Sequence, residues 1–380
     1  MSNYSELIAF IKNQFDNKDF VPLHEPRFLG NEKKYVVDTI DSTFVSSVGA
    51  YVDKFELMMS SVSGANKSIA VVNGTSALQV ALRLAGVNYG DEVITQALTF
   101  IATINAIIYN GAAPIFIDVD IDTMGLSPTA VEAFLEEFGE MREGICYNKK
   151  TNKKIAACMP MHTFGFPVHL NELLKVCKTW NIPIVEDAAE AIGSEYHSNP
   201  IGSFGKLGVF SFNGNKIVTS GGGGAIVTND VELGIKAKHL TTTAKVPHPY
   251  EYIHDEVGYN FRMPNLNAAL ACAQLEQLSL FIESKRTLAQ EYNLFFKSKG
   301  INFRTELPYT KANYWLMCVE LENKNERDTF LKETNKNGVM TRPIWQLIFK
   351  SSLYSRFQKD EQLNAMNLED RIVNIPSSVR

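Results

Sequence analysis

The chain has few cysteines and no long apolar run. Its five cysteines are scattered and odd in number, and no CxxC motif occurs. This pattern argues against a disulfide framework or a cysteine-based metal site. No stretch reaches the roughly 18 apolar residues that a membrane span needs, and we find no internal repeat or low-complexity linker. We therefore expect reduced, mostly buried thiols, no metal and no membrane partner.

A strong charge of one sign is also missing. The formal net charge is -5, so no basic field draws the chain to nucleic acid. The only concentrated basic run, NKKTNKK (148–154), is typical of an exposed turn between strands. The N-terminal MSNYSELIAFIKNQF lacks the basic start and apolar run of a signal peptide. These features favour a cytoplasmic protein with no nucleic-acid partner.

Strand-like and helix-like segments alternate from about residue 70. With 45% hydrophobic and 21% charged residues, the composition is that of a globular protein. Ser127 followed by Pro128 predicts a helix start within this alternation. The rhythm predicts an α/β fold with a mostly parallel mixed sheet covered by helices. In such sheets, ligands bind at the carboxyl ends of the strands. The strand-like segments are SIAVVN, DEVITQ, APIFIDVD, KIAACMPM and IPIVEDAAEA.

A change of pattern near residue 255 predicts a second unit. Residues 240–262 lack clear periodicity and are expected to form a long loop, whose aromatics argue against disorder. One long helix is expected over 265–300. We expect residues 1–255 to form a large domain with the N-terminal segment, and residues 256–380 a smaller α+β domain.

The stretch SFNGNKIVTSGGGGA (211–225) places Lys216 beside four consecutive glycines. A glycine run costs backbone entropy on folding, so some part of the structure must need a close approach or a sharp turn. The simplest alternative is a β-hairpin with a solvated lysine at its turn. The functional alternative is a lysine in an apolar pocket, where it becomes a nucleophilic amine.

Two further segments favour the functional alternative. VVNGTSAL (71–78) is a strand, a turn and a helix start, which together can cradle a phosphate, although Thr and Ser are also ordinary helix caps. Asp187 follows the apolar IPIV, where a buried carboxylate needs a partner. A structural salt bridge or a helix cap would also explain that aspartate. The ordered set of cradle, acid and lysine fits pyridoxal phosphate (PLP). A P-loop is excluded because Lys216 precedes the glycines.

Motifs along nearly the whole chain resemble the DegT/DnrJ/EryC1/StrS family of PLP-dependent sugar aminotransferases. They are GNEKKYVVDTIDSTFVSSVGAYVDKFE, NGTSALQVAL, ALTFIATINAI, EDAAEAIGS, SFNGNK, GGGGAIVTND, GYNFRMPNLNAAL and TRPIW. The resemblance implies a fold type I PLP-dependent transferase. The first motif is similar to the LegC-like branch, which aminates C4 of UDP-linked 4-keto-6-deoxy-N-acetylhexosamines for surface glycans.

The resemblance also implies residue roles. Lys216 would be the Schiff-base lysine, Asp187 the partner of the pyridinium nitrogen, and Glu190 a neighbour of the phenolic oxygen. Phe100 would stack on the ring. Asn260 would reach the phosphate of the partner subunit's cofactor, which implies a homodimer with composite sites. The other implied cofactor-binding positions are Gly74, Thr75, Ser76, Ser211 and Asn213, and the implied substrate-side positions are His162, Arg262 and Trp345.

The chain departs from the family at Asn213, where many members have histidine, so an acid-base role there is in doubt. Lys216 itself is kept, whereas dehydratases of the family replace it with histidine. The expected substrates are a nucleotide-linked keto sugar and L-glutamate. The alternatives are a C3 aminotransferase acting on a dTDP- or UDP-linked 3-keto sugar, and a non-catalytic nucleotide-sugar sensor.

Overall fold

A computed structural model describes residues 4–380 of the chain. Among these residues the α-helices are α1 Ser5–Asn13, α2 Glu32–Asp41, α3 Ala50–Ser63, α4 Gly74–Ala85, α5 Ile101–Tyr109, α6 Pro128–Phe138, α7 Leu170–Thr179, α8 Val231–Thr241, α9 Asn265–Leu275, α10 Leu278–Ser298, α11 Lys324–Lys336 and α12 Leu363–Arg371. Two short 3-10 helices cover Thr163–Gly165 and Ile348–Lys350.

The strands of the same residues are β1 Lys67–Val71, β2 Glu92–Gln96, β3 Ala113–Ile117, β4 Gly139–Arg142, β5 Ile145–Asn148, β6 Lys153–Met159, β7 Val185–Asp187, β8 Glu195–Tyr196, β9 Asn199–Pro200, β10 Leu207–Ser211, β11 Gly224–Thr228, β12 Lys245–Val246, β13 Ile253–His254, β14 Asn302–Phe303, β15 Thr310–Lys311, β16 Met317–Glu320, β17 Arg342–Pro343 and β18 Ile372–Ile375.

The central sheet has the strand order β3-β2-β6-β7-β10-β11-β1. Parallel bridges at Cys158–Ile184 and Met161–Asp187 join β6 to β7, and parallel pairing continues from β7 to β10. β11 alone in this set runs antiparallel to its neighbours, β10 and β1. Strands β2 and β11 are buried at every residue, as expected of a sheet covered on both faces. The expected α/β fold with a mostly parallel mixed sheet is confirmed.

Several local predictions are confirmed as well. Ser127 caps α6 through its hydroxyl, which accepts a hydrogen bond from the backbone N–H of Ala130. The basic run 148–154 forms the turn between β5 and β6. All five cysteines are buried and free. Within residues 4–380, no helix combines the length and the apolar character required to cross a bilayer.

The C-terminal part holds a second, antiparallel sheet of order β14-β16-β18-β17. The single helix expected over 265–300 is wrong, because the chain forms α9 and α10 with a break at Glu276 and Gln277. The break involves neither glycine nor proline; Gln277 has a non-helical backbone there, with φ -109° and ψ 2°, and its side-chain Nε2 donates to buried Glu32.

The N-terminal helix α1 packs on the C-terminal part of the chain. Phe10 stacks on Phe295 with ring centroids 3.8 Å apart, and Tyr4 meets Phe330 edge-on at 5.1 Å. Val21 also forms a β-bridge with Val339. These contacts associate the first residues with the smaller unit, while a domain boundary near residue 255 stays a prediction.

The aromatic segment 240–262 is not the irregular loop that we expected throughout. Its middle forms a small hairpin in which β12 and β13 pair, and Tyr250 and Tyr252 remain exposed. Its end, at Phe261 and Arg262, pairs with Val71 and Val72 at the end of β1. This pairing anchors the segment beside the edge where the functional side chains converge.

Candidate active site

A cavity of about 630 Å³ lies where β1, β7 and β10 end. These strands run parallel, so their carboxyl ends meet at one edge of the sheet. Trp315 and the segment 342–346 close the opposite wall. Nine of the residues predicted from the sequence line this cavity: Gly74, Thr75, Phe100, Asp187, Glu190, Ser211, Asn213, Lys216 and Trp345.

The first turn of α4 forms a tight cradle on this cavity. Asn73 caps the helix, because its side-chain oxygen accepts the backbone N–H of Ser76 at 2.8 Å. A Cβ on Gly74 would lie 2.9 Å from the Cβ of Ser211. The amide groups of a helix start have no partner within the helix, so they are available to an anion. The crowding at Gly74 means that only glycine lets this turn lie so close to β10.

The glycine run completes the cradle from the other side. A Cβ on Gly224 would lie 2.6 Å from the carbonyl carbon and oxygen of Asn73 and 2.9 Å from the nitrogen of Gly74. Gly221 has a φ of +76°, which L side chains rarely adopt. The run therefore turns at Gly221, whose backbone is in the left-handed region, and then places β11 directly against the start of α4.

Asp187 ends β7 with its carboxylate at the cavity and only 2% of the residue exposed. Its Oδ2 accepts a hydrogen bond from the Thr103 hydroxyl at 2.7 Å, and its Oδ1 accepts from the Ala189 N–H at 3.2 Å. Burial raises the pKa of Asp187, while the Thr103 hydrogen bond opposes that rise. Among the described residues no cationic nitrogen lies within 4.0 Å of it, so the salt-bridge alternative does not hold.

Lys216 lies in the connection between the antiparallel strands β10 and β11, as the hairpin alternative required, but it is not solvated. Its side chain is 12% exposed, and its Nζ lies 3.2 Å from Oε1 of Glu190. The other oxygen of Glu190 accepts the Phe164 N–H at 2.9 Å. Burial raises the pKa of Glu190 to about 7, and the nearby Lys216 ammonium opposes this rise. The lysine is thus held beside an acid that titrates near neutral pH.

Four predicted residues do not reach the cavity. The ring of His162 is fully buried behind it, with Nε2 at 3.3 Å from Glu186 and Nδ1 accepting the Val168 N–H. Ser76 contributes its backbone N–H to the cap of α4. Asn260 and Arg262 are exposed and bond to each other at 2.9 Å. His162 is therefore a structural residue beside the site in this chain.

Sequence reasoning missed several residues of the site. Thr103 and Trp315 both line the cavity, and each contacts a predicted residue. Arg342 is the only cationic side chain besides Lys216 that lines this cavity within residues 4–380. Arg342 lies inside the motif TRPIW, so the family resemblance had already pointed to this segment. Thr103 also lies inside such a motif, ALTFIATINAI, whereas Trp315 lies in none of them.

The arrangement fits pyridoxal phosphate on structural grounds. The cradle at Gly74 and Gly224 excludes side chains and presents amides to an anion. Asp187 is a buried carboxylate that lacks a cationic partner, which a protonated ring nitrogen would supply. Lys216 brings its amine to the same cavity. The residues present therefore match the phosphate, the ring nitrogen and the aldehyde of this cofactor.

Comparisons with known proteins agree with this fit. The profile of the DegT/DnrJ/EryC1/StrS aminotransferase family matches residues 28–380. The chain is 35% identical over 358 residues to the GDP-perosamine synthase of Escherichia coli O157:H7, with 94% of this chain and 93% of that protein covered. It is 33% identical to the GDP-perosamine synthase of Vibrio cholerae, with 94% of both chains covered. Helicobacter pylori PseC, an aminotransferase involved in pseudaminic acid biosynthesis, shares the fold with a TM-score of 0.85 at 24% identity, over 94% of this chain and 93% of that chain.

Proposed function

The chain belongs to the DegT/DnrJ/EryC1/StrS aminotransferase family, and on this premise we propose that it aminates C4 of a UDP-linked 4-keto-6-deoxy-N-acetylhexosamine. It is a PLP-dependent sugar aminotransferase, so the expectation of an enzyme with this cofactor is confirmed and the sensor alternative is set aside. The convergence of the cradle, Asp187 and Lys216 on one cavity supports the PLP-dependent amination, and the resemblance of motif 30–56 supports the choice of a UDP-linked 4-keto sugar.

Each residue of this chain would serve one part of the reaction. When bound, PLP supplies an electron sink that stabilises negative charge on the carbon next to the transferred nitrogen. Asp187 would keep the ring nitrogen protonated, with Thr103 fixing its carboxylate. Lys216 would hold the cofactor and move the proton. Phe100 and Trp345, with ring centroids 6.4 Å apart, would enclose the ring and the sugar.

L-glutamate is the proposed amino donor. Both carboxylates of this amino acid need cationic or amide partners when they leave water. Arg342 would offer such a partner, because it lines the cavity, and its guanidinium donates to Oδ1 of Asn335 at 3.2 Å. A planar guanidinium binds a carboxylate through two parallel hydrogen bonds.

The nucleotide and the position of amination have one specific rival. The two relatives named GDP-perosamine synthase carry a GDP-linked sugar in their names. The motif 30–56, with VSSVG at its centre, instead favours the UDP-linked branch. We therefore place the UDP-linked substrate first and a GDP-linked 4-keto sugar second.

A panel of sugars tests this proposal. The holoenzyme is incubated with L-glutamate and with UDP-, GDP- and dTDP-linked 4-keto and 3-keto sugars, and the amino sugar is identified by mass spectrometry and NMR. We expect a kcat/KM for the UDP-linked 4-keto N-acetylhexosamine at least tenfold above all others. Preference for a GDP-linked sugar, or amination at C3, would overturn the substrate assignment while leaving the aminotransferase activity intact.

The active site is proposed to be composite, formed by two copies of the chain. Asn260 and Arg262 are exposed, and neither lines the cavity of its own chain. Arg262 instead lines a second cavity of about 740 Å³ with Lys238 and Lys245. Such a cationic surface, anchored beside β1, suits the phosphates bound by a partner subunit. A symmetric dimer would use this surface twice.

Mixed dimers test the composite site. Asn260→Asp sets a carboxylate against the phosphate, and Lys216→Ala removes the amine, so each variant alone should be nearly inactive. In a mixed dimer, the Asn260→Asp subunit keeps its own Lys216 and receives wild-type Asn260 from its partner. Activity should therefore rise when the two proteins exchange subunits. Confirmed exchange without recovery would mean that Asn260 does not serve the partner's site.

A further inference from the structure

The amine of Lys216 is held by two groups and not by the acid alone. Its Nζ lies 3.2 Å from Oε1 of Glu190 and 3.7 Å from the centroid of the Trp315 ring. Trp315 is only 4% exposed, and Glu190 is 3% exposed. An ammonium over an indole face is attracted by the ring quadrupole, more strongly where water is excluded. The lysine therefore sits between a carboxylate and an aromatic face inside the cavity.

Both of these groups are fixed by the same buried residue. Asn313 is fully buried, and its Nδ2 donates to the backbone carbonyls of Glu190 and Ile192 at 2.8 and 2.9 Å. Its Oδ1 accepts the backbone N–H of Trp315 at 2.9 Å. One asparagine thus links the segment after β7 to the segment before β16. This link joins the two backbone segments that carry the acid and the indole.

The indole is also fixed to the lysine segment. Its Nε1 donates to the carbonyl of Asn215, the residue before Lys216, at 2.7 Å. This bond satisfies the polar edge of the ring and holds its face toward Nζ. A buried indole N–H needs a partner in any case, and here that partner is the residue next to the lysine, so the bond also fixes the ring relative to the lysine segment.

We propose that Trp315 is a positioning residue for Lys216, whose indole face holds the free ammonium against Glu190 whenever the lysine is not bound to the cofactor. This inference rests on the proposed role of Lys216. During transamination the substrate amine takes the place of the lysine, so the lysine is free for part of every cycle. The ammonium must then stay within reach of the reacting carbon. The acid and the indole both contact the amine and would keep it there.

Competitive labelling of the apo-protein tests this proposal. Trace acetic anhydride at fixed pH acetylates only uncharged amines, and peptide mass spectrometry reports the rate at Lys216 relative to the other lysines. Trp315→Phe and Trp315→Leu both open space, but only phenylalanine keeps an aromatic face. We expect labelling of Lys216 in Trp315→Leu to be roughly 5- to 30-fold faster than in the wild type, from the strength of a partly desolvated cation–π contact. Trp315→Phe should stay within about threefold of the wild type.

Controls separate this effect from unfolding and from general exposure. Trp180→Leu, at a tryptophan outside the cavity, should leave labelling of Lys216 unchanged. If Trp315→Leu does not fold by circular dichroism, Trp315→Met provides the same comparison with a flexible apolar side chain. Equal labelling in the phenylalanine and aliphatic variants would overturn the proposal, because the aromatic face would then have no effect.

A second measurement distinguishes the failure of this inference from the failure of the proposed function. The wild-type holoenzyme is reduced with borohydride, and the peptide that carries the cofactor is sequenced. Cofactor fixed to a lysine other than Lys216 would overturn both the proposed role of Lys216 and this inference. Cofactor on Lys216, together with equal labelling of the phenylalanine and leucine variants, would overturn the role of Trp315 alone.

Discussion

The substitution Asp187→Asn tests how the site holds a cation. The carboxylate is nearly fully buried and is bound by one hydroxyl and one backbone N–H. Burial raises its pKa, which shows that the protein alone does not stabilise the charge fully. Asparagine keeps the volume and can still accept from Thr103. It removes the charge that a protonated ring nitrogen would need, and its single oxygen cannot accept from both Thr103 and the Ala189 N–H.

The size of the effect follows from the burial. Removing one partner of a buried ion pair costs about 3–5 kcal/mol, because the other charge is left without compensation. About 1.4 kcal/mol corresponds to a tenfold change in rate. We therefore expect kcat/KM of Asp187→Asn to fall roughly 10²- to 10⁴-fold.

Thr103→Val provides a graded comparison for this prediction. It removes the 2.7 Å hydrogen bond to Oδ2 of Asp187 but keeps the charge and a similar side-chain volume. A hydrogen bond to a charged group contributes about 1.5–3 kcal/mol, so the loss should be roughly 10- to 100-fold. Loss of this hydrogen bond should also raise the pKa of Asp187 further. As the pH is lowered, Thr103→Val should therefore lose activity at a higher pH than the wild type does.

The assay is steady-state turnover with L-glutamate and the preferred sugar, with cofactor content measured by absorbance after denaturation. We expect the order wild type, Thr103→Val, Asp187→Asn in decreasing kcat/KM. An Asp187→Asn enzyme within threefold of the wild type, with full cofactor content, would refute the role of this carboxylate.

Two further predictions concern the cradle and the stability of the fold. Gly224→Ala should sharply reduce cofactor retention, because its Cβ would lie 2.6 Å from the backbone of Asn73, whereas Gly222→Ala in the same run, whose nearest neighbour is 4.0 Å away, should retain the cofactor. Equal retention, measured by dialysis and absorbance, would contradict the close approach. Lys285 is fully buried and donates to the carbonyl of Ser377, and burial lowers its pKa from 10.5 to about 7. Between pH 7 and 10.5 the unfolded chain therefore binds more protons at this residue, and the wild type should gain up to about 1.4 kcal/mol per pH unit relative to Lys285→Met. The stability advantage of Lys285→Met should be largest at or below pH 7 and shrink toward pH 9 in urea titrations, and a pH-independent difference would show that the lysine does not change its charge there.

The local order of the site could be read from the sequence because each part depends on neighbours along the chain. A strand, a glycine turn and a helix start are encoded together in residues 71–78, and the cradle is found there. Asp187 and Lys216 follow apolar strands, and parallel strands bring their carboxyl ends to one edge. The residue that caps α4 was less certain from the sequence, because Asn73, Thr75 and Ser76 are all of types that cap helices. The structure selects Asn73 because its side chain accepts the Ser76 N–H.

Long-range contacts could not be read in this way. At the break between α9 and α10, the side chain of Gln277 bonds to Glu32, 245 residues away. The family resemblance placed His162 on the substrate side, but its ring lies buried behind the site, 3.3 Å from the carboxylate of Glu186. Neither outcome leaves a periodic signal, because the partner is not a neighbour in sequence.

The sequence by itself determined the α/β fold, the sheet edge that carries the site, and the identity of the lysine, the acid and the cradle, since these follow from local patterns and from the parallel arrangement of strands. Only the tertiary structure decided what surrounds them. It brought Thr103 to Asp187, Glu190 and Trp315 to Lys216, and Gly224 against the start of α4. The physical reason is that the charge state of a buried group depends on the side chains packed around it, and folding brings those side chains from distant parts of the chain.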